Sequence, residues 1–248
     1  LVTGAARRIG RALALDLARQ GWGVAVHCHR SEVEARATVA EIERSGGRAA
    51  VLRADLTRED QVRTLVSRAA SALGPVQCLV NNAAVFEGDT VETATRESWD
   101  AHLETNLRAP FVLMQSFSSE LPADASGNIV NVLDERVWNL TPYFVSYTVS
   151  KAGLWALTRT MALALAPRIR VNAVGPGPTL PSPRQTLAEF EHQCRGMPLR
   201  RGTTPEEICA AVRFILDSPA MTGQMIALDG GQHLGWSHPE SGKTLDTE

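Results

Sequence analysis

Within the stretch from Asp134 to Lys151, two residues have types and a spacing that point directly to chemistry. Tyr147 and Lys151 stand four apart in Tyr147-Thr148-Val149-Ser150-Lys151, the one Tyr-x-x-x-Lys of the chain. On a helix such residues share a face, so phenol and ammonium point the same way. A free tyrosine titrates near pH ~10, and a fixed cation beside it is expected to stabilise the phenolate and lower that value, which makes Tyr147 a proton donor. The chain holds 23 arginines and only two lysines, Lys151 and Lys243, so lysine here is not the habitual basic residue. A compact ammonium suits a place shared by a phenol and a ribose better than a planar guanidinium does.

A second group lies near the start. Thr3-Gly4-Ala5-Ala6-Arg7-Arg8-Ile9-Gly10 falls between a strand and a helix, where backbone amides and the helix dipole can hold a pyrophosphate. It is not a full Gly-x-Gly-x-x-Gly, and an ordinary tight turn is the other reading. The next strand ends in His27-Cys28-His29-Arg30-Ser31. A site for the unphosphorylated dinucleotide places a carboxylate there for the ribose; Arg30 and Ser31 instead suit a 2′-phosphate, and Arg7 and Arg8 add charge to the same corner. NADP(H) is therefore expected as the cofactor.

These residues need a frame. Short β-branched runs alternate with segments of helical period, which predicts a single α/β domain over 1–248 with a doubly wound parallel sheet of about seven strands and helices on both faces. Leu1-Val2 ends a first strand whose earlier part is expected to be clipped. Further strands are predicted over 24–28, 50–53, 78–81, 129–133, 170–174 and 225–228, with helices over 7–20, 32–44, 58–73, 97–121, 146–166 and 205–216. The proline- and glycine-rich run from Gly175 opens a substrate loop over about 175–204, and a tail is expected over about 232–248.

Composition narrows the partners. A net charge of −2 with interspersed signs offers no basic stripe for nucleic acid and no polybasic membrane anchor. Cys28, Cys78, Cys194 and Cys209 are widely spaced without a metal-ligand pattern, so no metal is expected and a reducing cytoplasm fits best.

In order along the chain, Thr3-Gly4 to Gly10, Asp55, Asn81-Asn82-Ala83, Asn106, Tyr147 with Lys151, Arg170-Val171-Asn172, Gly175-Pro176-Gly177 and Asp229-Gly230-Gly231 resemble the short-chain dehydrogenase/reductase family nearly end to end. The resemblance implies a Rossmann-like sheet and hydride transfer, with catalytic roles for Asn106, Tyr147 and Lys151. It implies cofactor contacts from Gly4, Arg7, Arg8, Ile9, Gly10, His29, Arg30, Ser31, Asp55, Leu56, Asn82, Ala83 and Gly177, besides Tyr147 and Lys151. Asp55 would lie near the adenine, and Asn106 would support a proton-relay water. A homotetramer through the helices around 97–121 and 146–166 is also implied, and both carry more apolar residues than one sheet-facing stripe needs.

One departure sharpens the reading. Most of the family has a serine where this chain has Asp134. An ionised carboxylate only accepts hydrogen bonds and would repel the charge developing on a reduced ketone, so Asp134 suits a substrate bringing N–H donors. Asp134, Arg8, His27-Cys28-His29-Arg30-Ser31 and Asn81-Asn82-Ala83 with Phe86 together resemble the pteridine reductases. That implies substrate contacts from Arg8, Phe86, Asp134, Tyr147 and Pro176, with Phe86 stacking a pterin, and reduction of a C=N bond in a dihydropterin-like ring. Phe86 as a plain core anchor and Asp134 as a cap or partner of Arg136 are the alternatives. At the level of function, a 3-oxoacyl-type carbonyl reductase and a non-catalytic NADP-binding regulator remain open.

Overall fold

A computed structural model describes residues 1–235; the expected tail therefore lies, from residue 236 on, outside the described residues. Among the described residues six strands are formed: β1 (Val24–Cys28), β2 (Ala49–Arg53), β3 (Cys78–Asn81), β4 (Gly127–Val132), β5 (Ile169–Pro176) and β6 (Met225–Leu228). β1 pairs with β2, and β3-β4-β5-β6 form a run of four, every pairing parallel. Val2 joins the two halves by bridging Val26 on one side and Val80 on the other. The spatial order is β2, β1, Val2, β3, β4, β5, β6, a doubly wound Rossmann-like sheet.

Alternation along the strands sends successive side chains to opposite faces, and each face carries its own core. Leu79, Ile129 and Val171 meet Leu113, Phe117 and Leu154 on one side. Val26, Val80, Val130 and Val174 meet Leu13, Leu17, Ile208 and Val212 on the other. The helices supplying these residues are α1 (Arg8–Arg19) and α9 (Pro205–Leu216) on the second face, and α6 (Ala109–Glu120) and α7 (Val145–Leu165) on the first. Because both faces are covered, the strands read as apolar runs rather than as half-polar ones.

Between these elements lie α2 (Glu32–Arg44), α3 (Glu59–Val62), α4 (Leu65–Leu73), α5 (Arg96–Leu103) and α8 (Leu187–Arg195). Three sequence expectations are corrected. The helix expected over 58–73 is broken between α3 and α4, where the Thr64 hydroxyl donates to Gln61 O at 3.0 Å and competes with the helical ladder. The helix expected over 97–121 is α5 and α6 joined by a π turn, Glu104–Arg108. Gly175 and Pro176, expected in a loop, extend β5 instead, and α8 stands inside the expected loop 175–204.

Candidate active site

The strands end together along one edge, and the segments leaving them line a cleft of about 840 Å³. Every residue expected to bind cofactor or substrate lines it; Asn106 does not.

The cleft's floor is the turn before α1. Gly4 takes a left-handed φ of 62°, and a Cβ at Gly10 would lie 2.2 Å from Gly4 O, so the turn closes only with glycine at position 10. Thr3 Oγ1 accepts from the amides of Asn82 and Ala83 at 2.9 and 3.0 Å, while Asn82 Nδ2 donates to Thr3 O at 2.8 Å. α5, α8 and α9 each begin with a threonine capping box, but α1 has no side-chain cap and no acid in its first turn. Its first amides are thus left for an anion. His27, buried at the end of β1, accepts from Gly4 N at 3.1 Å and donates to Ala54 O at 3.2 Å. Burial lowers its pKa to about 4, so the ring stays neutral and locks the turn to the sheet.

Positive charge borders this floor. Arg30 and Ser31 follow β1, and Arg7 is exposed with its guanidinium 3.8 Å from Glu34. His29 lies 3.6 Å from the Asp55 carboxylate, which also accepts from Thr57 N at 3.0 Å. Arg8, in a left-handed backbone (φ 53°), sends its guanidinium across the cleft to Pro181 O at 2.9 Å and Leu180 O at 3.2 Å. It thereby ties the phosphate-type turn to the expected substrate loop.

At the other end, Tyr147 and Lys151 project from α7 as their spacing predicts, both almost wholly buried. Tyr147 Oη donates to Asp134 Oδ2 at 2.8 Å. Lys151 Nζ donates to Val132 O at 2.7 Å and sits 5.7 Å from the Tyr147 ring centroid. The expectation that Lys151 lowers the phenol's pKa is overturned. Burial, and then the adjacent Asp134 carboxylate, hold Tyr147 well above its ordinary range, while burial pushes Lys151 down to about 8. The physical reason is the partner: a phenol donating to a carboxylate is stabilised in its protonated form. The site thus stores a proton on Tyr147.

Asp134 is used on both oxygens. Oδ1 accepts from Arg136 N at 3.0 Å and caps the short turn that follows, while Oδ2 holds the phenol. The cap anticipated as one alternative is formed, and the other carboxylate oxygen is bonded to Tyr147. Phe86 packs edge-on to Tyr147 (centroids 4.7 Å apart) and stacks on Phe144 at 4.6 Å. Arg184 closes over it, bonded to Glu87 at 2.6 Å and to Phe86 O at 3.1 Å. Asn106 is a brace rather than a lining group: its amide exchanges bonds with Val85 N and O at 2.8 and 2.9 Å and donates to Ser150 Oγ at 3.0 Å.

In the sequence His27 is legible only as part of the His27-Cys28-His29-Arg30-Ser31 motif, not as the lock between the turn and the sheet, and sequence reasoning missed the Arg184 contact because nothing local announces it.

Residues 4–233 match the family model described as Enoyl-(Acyl carrier protein) reductase. The crystal structure of FolM alternative dihydrofolate reductase 1 from Brucella suis in complex with NADP superposes with a TM-score of 0.93 at 50% identity, covering 96% of each chain. The corresponding Brucella canis protein complexed with NADP gives the same score and identity over 97% of this chain and 95% of its own. A 3-oxoacyl-[acyl-carrier-protein] reductase, FabG of Staphylococcus epidermidis, is 33% identical over 239 residues, 94% of this chain and 98% of the relative.

Proposed function

The chain belongs to the short-chain dehydrogenase/reductase family, and from that premise we propose that it is an NADPH-dependent reductase of a dihydropterin-like C=N bond. The observation that carries the reading is the Asp134 carboxylate bonded to the Tyr147 phenol at 2.8 Å beside the Phe86 ring.

NADPH, when bound, supplies the hydride. The donor set fits it: the uncapped first turn of α1 would hold the pyrophosphate, Arg30 and Ser31 with Arg7 would hold the 2′-phosphate, and Lys151 would bind the nicotinamide ribose. Asp55, Leu56 and Gly177 line the same cleft, and the family resemblance would put the first two at the adenine and the third at the nicotinamide. Tyr147 holds the proton for the ring nitrogen, and Asp134 accepts the N–H donors that a pterin presents and a ketone lacks. Phe86 lines the pocket beside Tyr147, stacked on Phe144 and covered by Arg184, so a flat substrate would meet its ring only where Arg184 gives way, and Pro176 bounds the pocket. The two FolM proteins, each 50% identical to this chain, support a folate- or pterin-type substrate.

A 3-oxoacyl-type carbonyl reductase is the second reading, favoured by the FabG relatives at 33% identity. Asp134 weighs against it, because a carboxylate opposes a developing oxyanion. All four cysteines are free, which suits the proposed reducing cytoplasm. Among the described residues no helix is long and apolar enough to cross a membrane. The test is NADPH oxidation with dihydrobiopterin, dihydromonapterin, dihydrofolate and an acetoacetyl thioester. Turnover confined to the thioester would overturn the pterin reading; preference for a dihydropterin or dihydrofolate is expected.

A further inference from the structure

Next to the reacting groups, but outside the cleft, three polar side chains meet in the core: Asp89 (2% exposed), His102 (0%) and Ser146 (0%). Ser146 immediately precedes Tyr147, and Asp89 lies three residues beyond Phe86. Burying this much polarity is costly unless every group is satisfied and the arrangement serves a purpose.

The bonds run between three separate pieces of chain. α7 is entered from Phe144, which has a left-handed backbone (φ 56°) and whose side chain gives no cap. The cap comes from elsewhere: Asp89 Oδ1 accepts from Ser146 N at 3.1 Å, Asp89 Oδ2 accepts from Ser146 Oγ, and Asp89 O accepts from Phe144 N at 2.8 Å. His102, on α5, accepts from Glu87 N on Nε2 at 3.1 Å. Its proton is then on Nδ1, which faces both Ser98 O and Ser146 Oγ at 2.8 Å. The loop that carries Phe86 is therefore fastened at Glu87 and Asp89 to the helix start that carries Tyr147.

A serine, a histidine and an aspartate in contact invite comparison with a hydrolytic triad, and the geometry refuses it. The hydroxyl is bonded to the carboxylate, and the group has no exposure to a substrate.

We propose that Asp89, with Ser146 and His102, is a positioning unit that sets the spacing between the Phe86 ring and the Tyr147 phenol, and so the placement of the flat substrate against its proton donor. The unit acts through its neighbours and touches no reactant. It rests on the pterin reading for the role of Phe86, while its grip on Tyr147 does not. Its reach ends there: the α1 turn and the Arg30 corner share no bond with it.

The experiment compares wild type with Asp89→Ala, Asp89→Asn and Ser146→Ala. Asp89→Ala should lower kcat/KM on dihydrobiopterin by about a hundredfold, the scale of a small misplacement of reacting groups. NADPH affinity, read by fluorescence titration, should hold. Asp89→Asn keeps an acceptor for Ser146 and should restore most of the loss in kcat/KM, compared per folded molecule so that recovered stability does not count as rescue. If Asp89→Ala does not fold, Ser146→Ala carries the test, with the same direction expected. Folded variants with wild-type kcat/KM, or a loss equal to the fall in folded fraction, would overturn the proposal. If wild type turns over no pterin, the substrate reading is what has failed. The positioning claim is then read from ultraviolet titration of Tyr147 in a Tyr143→Phe background. Asp89→Ala should let that phenol ionise at lower pH, and an unchanged titration would overturn it.

Discussion

At the scale of single residues, the chemistry turns on which side chains can only accept and which can only donate. Asp134 in its ionised form accepts alone, so its bond to Tyr147 keeps the phenol protonated, and on the proposed reading the same carboxylate would favour substrates with N–H groups. Arg30 only donates, at the end of β1 where a carboxylate would select the unphosphorylated cofactor. Arg30→Ala should cost about 1.5 to 3 kcal/mol of NADPH binding and little of NADH binding, by fluorescence titration. Equal affinity of the native protein for both cofactors would contradict this. His27 makes a pH prediction. Its folded pKa, about 4, lies below the unfolded value of 6.5, so the unfolded chain binds more protons between those limits. Stability should therefore fall as pH drops from 6.5 toward 4, by on the order of 3 kcal/mol at full extent. Thermal melts across that range should show a shallower acid slope in His27→Gln than in wild type.

At the scale of elements, the sequence was most legible where periodicity and punctuation agree. β1, α2, β3, α9 and β6 fall on their expected bounds, since each is an apolar-periodic run flanked by turn residues. The break before α4 and the π turn before α6 left no such mark, because a local side-chain bond and one extra residue per turn leave the apolar pattern nearly intact. α8 was hidden by the prolines ahead of it, although Thr186 and Glu189 form the capping box that announces a helix start. Of the site, the expected cofactor and substrate residues could be named from motif order and do line the cleft, though the rest of its lining could not. Nor could Asp89, His102, Ser146 and Arg184, since each acts through contacts distant in sequence. The tightest element-level constraint is the turn into α1. Gly10→Ala places a methyl against Gly4 O and Asn82 Nδ2, at 2.2 and 2.5 Å. Loss of NADPH binding in a protein that still melts cooperatively is expected; unimpaired binding would show that the turn can open without cost.

At the scale of the whole molecule, the sheet brings the ends of β1, β3, β4 and β5 to one edge, and two cores hold them there. α7 carries Val149 and Leu163 on its outer side, 41% and 84% exposed. Such apolar exposure on a long helix would suit a covered face, and the family resemblance implies a homotetramer through α5, α6 and α7; light scattering at micromolar concentration tests this proposal, and a monomer would contradict it. The most direct test of the account asks what the assembled protein reduces and why. It compares kcat/KM on a dihydropterin and on a simple diketone, with NADPH, for wild type and Asp134→Ser, alongside thermal melts. A folded, NADPH-binding variant that loses pterin turnover by about a hundredfold or more while diketone turnover holds or rises is the predicted result. Unchanged pterin efficiency in a well-folded Asp134→Ser protein would contradict it and leave carbonyl reduction as the better description.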